Sequence, residues 1–182
     1  MDEAQFWSAM PEEVNHQSIV VITKNTSTLS GYDITAITSG TPPRIDSSII
    51  SQLPKFLERH FLSHLPPHLR LPPEDIYIII STKSGAEQAA AVFDDVLKPV
   101  LSIVGLDKTS YQVLKTESSD TVKEFAGGQL RERANQGVAQ TVLLLSGDGG
   151  MVDIVNGLMN DGDARSRYVF ATYLAAALYS VL

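Results

Sequence analysis

A chain of 182 residues with 43% hydrophobic content is long enough for one compact domain plus an appendage, with a sizeable buried core. Fourteen basic against twenty-one acidic residues give a formal net charge of −7, which opposes non-specific attraction to DNA, RNA or anionic lipid and argues against a nucleic-acid partner. The lack of cysteine excludes disulfides and thiolate metal sites, and the acidic start Met1-Asp2-Glu3 is unlike a secretory leader, so a cytoplasmic protein is expected.

Residues 18–22 and 32–37 are apolar stretches separated by the polar run 24–31, which predicts a β-hairpin. Ile49, Ile50, Leu53, Phe56, Leu57 and Phe61 then recur near helical spacing and predict a helix within 47–64 despite Pro54. The proline-rich stretch 65–73 cannot continue it, which sets residues 1–70 apart as an N-terminal extension. His60, His64 and His68 recur every four residues, but Pro66 and Pro67 interrupt that face, so they read as exposed histidines rather than metal ligands. Trp7 reads as a packing residue or part of a loose terminus.

Residues 76–80 are β-branched and aromatic and predict a strand. A loop, Ser81-Thr82-Lys83-Ser84-Gly85, leads into a helix with Ala89, Ala90, Phe93, Val96, Leu97, Val100, Leu101 and Val104 on one stripe. Pro99 should kink or divide that helix, and Asp94 and Asp95 mark its wet face, with Lys98 placed to pair with Asp94. Residues 111–114 predict a short strand, and Val122, Phe125, Ala126, Leu130 and Ala134 the next helix. Gly127 and Gly128 weaken that helix by about 1 kcal/mol each. Arg131, Glu132 and Arg133 read as its solvated face. Residues 142–145 are apolar without alternation, as in a strand covered on both faces, and Met151, Ile154, Val155, Leu158 and Met159 restore the helical period. Strands alternating with helices predict an α/β, doubly wound, mostly parallel sheet over residues 71–165.

Between the last strand and helix stands Ser146-Gly147-Asp148-Gly149-Gly150. Glycines admit unusual backbone and close approach, and the helix behind them starts with uncapped amides and a partial positive charge, which suits an anion. A tight turn with Asp148 as helix cap fits the loop equally well. Neither a P-loop nor a dinucleotide turn is present, since no Gly-Lys-Ser/Thr follows and Val152 and Asp153 stand where a third glycine is needed. A serine-hydrolase elbow is excluded because Leu144 occupies its first glycine position.

Ser146-Gly147-Asp148-Gly149 with Asp153-Ile154-Val155-Asn156-Gly157-Leu158-Met159 resembles the nucleotide-binding signature of the diacylglycerol kinase catalytic fold, and within it the sphingosine kinases most closely. Ser81 to Gly85 is similar in position to that family's Asn-Pro-x-Ser/Gly-Gly loop, and Thr116-Glu117 to its threonine turn. NAD kinases share a glycine-aspartate loop, but the run from Asp153 to Leu158 points to lipid kinases. The resemblance spans residues 76–163 and implies transfer of phosphate from ATP, with Mg²⁺, to the hydroxyl of a sphingoid base or diacylglycerol. It implies that Ser81, Thr82, Lys83, Thr116, Glu117, Gly147, Gly149, Gly150 and Asp153 contact nucleotide and that Ser146 borders the lipid substrate. Asp148 is implied as the residue that takes the hydroxyl proton or helps organise Mg²⁺.

The chain departs from the family at Gly150 (usually Thr or Leu), at Val152 (usually polar), at Asp153 (usually Glu) and at Ser81-Thr82 (usually Asn-Pro). The family's β-rich lipid-binding domain is expected to be missing: residues 166–182 are an apolar segment, uncharged from Tyr168 on and too short for a typical bilayer span. A truncated product is expected, with that segment serving as a core helix, an exposed sticky tail or a peripheral membrane anchor. Two functions follow from the resemblance: a lipid kinase, or a catalytically inactive nucleotide-binding or regulatory module. The oligomeric state and the role of residues 1–70 are not encoded in any motif.

Overall fold

The computed structural model describes residues 2–10, 14, 18–27, 31–38, 43–81, 89–116, 118–146 and 148–159, the side chains of Ser119 and Asp148 excepted. The chain divides into two compact units, Met1–Leu65 with Asp94–Gly105, and Pro66–Phe93 with Leu106–Leu182.

In the first unit, helix α1 (Glu3–Ala9) is capped by Asp2, whose carboxylate accepts from the Gln5 amide at 2.8 Å. Strands β1 (Ile19–Lys24), β2 (Tyr32–Thr38) and β3 (Arg44–Ile50) form an antiparallel sheet in that order. The expected hairpin is the β1–β2 pair. A bulge between Ile19 and Val21 shifts its register. Phe6, Val14, Ile19, Ile22, Ile34, Ala36 and Leu57 form the buried core, and Trp7 packs against it, edge-on to Phe6 at 5.0 Å. Trp7 is therefore a packing residue.

The helix expected within 47–64 is not there. Its first part is β3, paired with β2 along the full register from Thr38↔Arg44 to Tyr32↔Ile50. Pro54 is extended (φ −65°, ψ 144°), and behind it Lys55–His60 forms a 3₁₀ turn that buries Leu57. Residues 53–61 then close on the sheet, with the Leu62 amide donating to Ile22 O at 2.8 Å. Two short elements joined at a proline reproduce helical spacing by chance, because the residue before proline is driven extended.

In the second unit, β4 (Ile76–Ser81), β5 (Gln112–Thr116) and β6 (Thr141–Leu145) form a parallel sheet in the order β5-β4-β6. Helix α2 (Ala89–Val92) contacts β4, and the chain then runs through a widened π turn, Phe93–Leu97, into α3 (Lys98–Ile103), the residues from Asp94 to Gly105 belonging to the first unit. Pro99 cannot donate to the Asp95 carbonyl and would strike it in a regular helix, which accounts for the widened turn. The expected Asp94–Lys98 pair forms at 3.7 Å with both side chains exposed. Helix α4 (Ser119–Phe125), a second π turn (Ala126–Leu130) and α5 (Arg131–Asn135) make the next helical stretch, and α6 (Asp148–Met159) follows β6.

β4 is the central strand. Tyr77 and Ile79 face α4 and α6, packing against Val122, Ala126 and Leu130, while Ile76, Ile78 and Ile80 alternate to the other face and are equally buried. The Tyr77 ring meets Phe125 edge-on at 5.3 Å, and its hydroxyl accepts from Gln129 Nε2 at 3.2 Å. The mixed α/β class with a parallel sheet is as the sequence predicts.

One surface assignment needs correction. Arg133 does not belong to a solvated face: its Nε donates to Asp75 Oδ1 at 2.6 Å, its Nη2 reaches the same oxygen, and Asp75 is buried. That hydrogen bond, with the Asp75 charge, raises the guanidinium pKa above its ordinary value. The two residues lie 58 positions apart, so no local pattern signals the pair. Beside it, Thr141 Oγ1 donates to His68 O at 2.6 Å, tying the start of β6 to the 3₁₀ turn Pro67–Leu69. No helix among the described residues is long and apolar enough to cross a membrane.

Candidate functional site

Parallel strands deliver their carboxyl ends to one edge, and the register fixes what meets there. Ser81 is the partner of Thr116, and Ile80 is the partner of Leu145, so Ser81, Thr116 and Ser146 stand side by side. Two inter-strand spacings separate the outer pair, about 10 Å. From β4 the chain passes to β5 on one side and later to β6 on the other. The ligand sites of open α/β sheets lie beyond the carboxyl ends of such strands. The segments that leave β4 and β6 there start from Ser81 and Ser146. Ser81 is half-buried and Thr116 wholly buried, so the Thr116 side chain has no solvent-facing atom.

Asp148, Gly149 and Gly150 are the first residues of α6, a twelve-residue helix. Gly149 and Gly150 are therefore helical, and the expectation that they provide unusual backbone is corrected: among the described residues only Gly31, Gly105 and Gly137 have positive φ. Their value is space. A Cβ on Gly150 would land on Ser146 Oγ, 2.6 Å from Ser146 Cβ and 3.4 Å from Leu144 Cδ2. Gly149 is exposed, and nothing lies within 4 Å of where its Cβ would stand. The first-turn amides have no carbonyl partner within the helix and carry its positive end.

Asp153, one and a half turns into α6, pairs with Lys123 of α4, Oδ1 to Nζ at 3.5 Å. A close helix crossing sets this meeting. A Cβ on Gly157 would come within 2.5 Å of the Lys123 carbonyl oxygen and 2.7 Å of Ala126 Cβ, and one on Gly127 would stand 3.0 Å from the Gly157 carbonyl oxygen. The glycines that the sequence marks as weak points of α4 and its continuation are, at Gly127, where the helices touch. Sequence reasoning missed Lys123, because only the tertiary crossing brings it to α6.

Of the sequence-predicted residues, Ser81, Thr116, Ser146, Gly149 and Gly150 gather at the carboxyl edge, with the Asp148 backbone at the head of α6, while Asp153 lies one and a half turns along that helix. Thr82, Lys83, Glu117, Gly147 and the side chain of Asp148 lie outside the described residues. The described residues include no group of three or more His, Cys, Asp or Glu that could hold a metal ion. Mg²⁺ that arrives with a nucleotide takes most of its ligands from phosphate oxygens and water and needs only one or two carboxylates. The open space over Gly149 and the positive end of α6 fit a polyphosphate.

The diacylglycerol kinase catalytic domain matches residues 75–172, more than half of the chain and the whole of β4 to α6. No curated protein matches it. With that match laid over the strand edge and glycine helix just described, the chain belongs to the diacylglycerol kinase catalytic domain family.

Proposed function

We propose that the protein binds Mg-ATP at the carboxyl edge of the parallel sheet and transfers phosphate to the hydroxyl of a lipid, a sphingoid base or a diacylglycerol. The observation that carries this is the head of α6, where Gly149 leaves open space at the positive end of the helix, beyond the carboxyl end of β6.

Mg-ATP supplies the transferable phosphoryl group, already partly neutralised by the cation. The α6 amides hold its phosphates and accept the charge that spreads over the equatorial oxygens during transfer. Ser81 and Thr116 stand at the ends of β4 and β5 beside it, and Thr82, Lys83 and Glu117, the residues that follow them in the chain, are assigned to nucleotide contact by the family resemblance. Ser146 borders the lipid, and Gly150 holds Ser146 in place, because no side chain there could share its space. Asp148 accepts the proton that leaves the lipid hydroxyl. Phosphoryl transfer depends on alignment and charge neutralisation, which this set of groups provides.

The test is calorimetric titration of the full chain with Mg-ATP beside its Asp148→Asn variant, with phosphate transfer measured on vesicles carrying sphingosine or diacylglycerol. Saturable binding by both proteins, with transfer at least about 10²-fold slower in the variant, is expected. Equal transfer by Asp148→Asn removes that residue from the chemistry. Binding without transfer by the unaltered chain identifies a nucleotide-binding module instead of a kinase.

A further inference from the structure

Asp153 lies five residues into α6, about 7.5 Å along the axis from a head that has to accept a polyphosphate, and the helix carries no basic residue of its own. An uncompensated carboxylate there repels the ligand. Lys123 answers Asp153 from another helix: its ammonium stands 3.5 Å from the Asp153 carboxylate, with the lysine side chain 41% and the aspartate side chain 18% exposed. The placement is built in. Gly157 lies one turn after Asp153, and the absence of a side chain there lets the Lys123 backbone sit where a Cβ would reach its carbonyl oxygen at 2.5 Å.

We propose that Lys123 is a positioning residue of the nucleotide site: it holds the Asp153 carboxylate and cancels its charge, so that an anionic nucleotide can occupy the head of α6. The inference rests on the nucleotide reading given above. Lys123 acts through Asp153, not by touching phosphate, and this separates it from a lysine that binds the ligand directly. It also explains how the shorter Asp153 serves where the family has glutamate. A carboxylate tethered from α4 presents its free oxygen in one direction without the longer stem.

A double-mutant cycle tests this by Mg-ATP titration of the full chain. Lys123→Met weakens binding by about threefold to tenfold, while Lys123→Arg stays within about twofold of the unaltered chain. In the Asp153→Asn background, where no charge remains to cancel, Lys123→Met has no further effect. Thermal unfolding of Lys123→Met serves as the control for a purely structural role and is expected to change little, since the pair is partly exposed. An equal loss in both backgrounds overturns the proposal in favour of direct phosphate contact, and unchanged affinity in Lys123→Met overturns it outright. If Asp153→Asn alone abolishes binding, Lys123→Arg decides, retained affinity upholding the proposal and lost affinity overturning it. Failure of the unaltered chain to bind Mg-ATP defeats the nucleotide reading itself, and the proposal with it, which is a different result from any of these.

Discussion

Gly150 and Ser146 share a space that holds one side chain. Gly150→Ala would place its methyl on the Ser146 hydroxyl, and the nearby Ser146 Cβ cannot swing away as the tip of a long side chain could. The expected destabilisation is about 1–3 kcal/mol, measured by urea titration, and Ser146→Gly in the same chain should recover most of it. A second residue-scale prediction concerns Tyr111. Burial, and after it the charge of Asp107, raises its phenol above the usual 10.0. Asp107 is itself held below its ordinary value by the Thr109 side chain and backbone amide, which donate to Oδ1 at 2.5 and 2.7 Å. A raised phenol pKa favours the folded protein below the unfolded value, and that contribution is lost as pH climbs through the folded one. Ultraviolet titration should therefore show Tyr111 ionising late, with that late step lost in Tyr111→Phe. Asp107→Asn should bring it down only part of the way, because burial is the larger cause.

Between elements, the α4–α6 crossing predicts opposite signs for two neighbouring glycines. Gly128 has nothing within 4 Å of a built Cβ, so Gly128→Ala should stabilise by up to about 1 kcal/mol through helix propensity. Gly157→Ala gains the same propensity but drives a methyl into the Lys123 carbonyl and Ala126, where backbone must move, and should destabilise by about 1–3 kcal/mol. Thermal unfolding of the two variants shows whether contact or propensity governs this helix pair. Element identity was legible where burial leaves a one-dimensional trace. β4 reads as an unbroken apolar run because both of its faces are covered, and the division at Pro99 follows from a missing donor. The segment 47–64 was not legible, since Ile49 and Ile50 pair within a sheet while Leu57 packs from a 3₁₀ turn, and their spacing mimics one helix.

For the molecule as a whole, the sequence reveals the α/β alternation, the sheet edge and its glycine segment. It is silent on what long-range meetings create: the Asp75–Arg133 bond and the Lys123–Asp153 pair both join residues that no spacing rule connects. The place of β4 in the sheet has a consequence for how the protein is made. Its neighbours come later in the chain, with Gln112 35 residues beyond its partner Tyr77 and Thr141 65 beyond Ile76. During synthesis this central apolar strand emerges before either of its neighbours and waits with both edges open, the state in which chains associate with each other rather than with themselves. Yield in cells is then governed by what shelters the nascent strand between the ribosome exit and the arrival of β6.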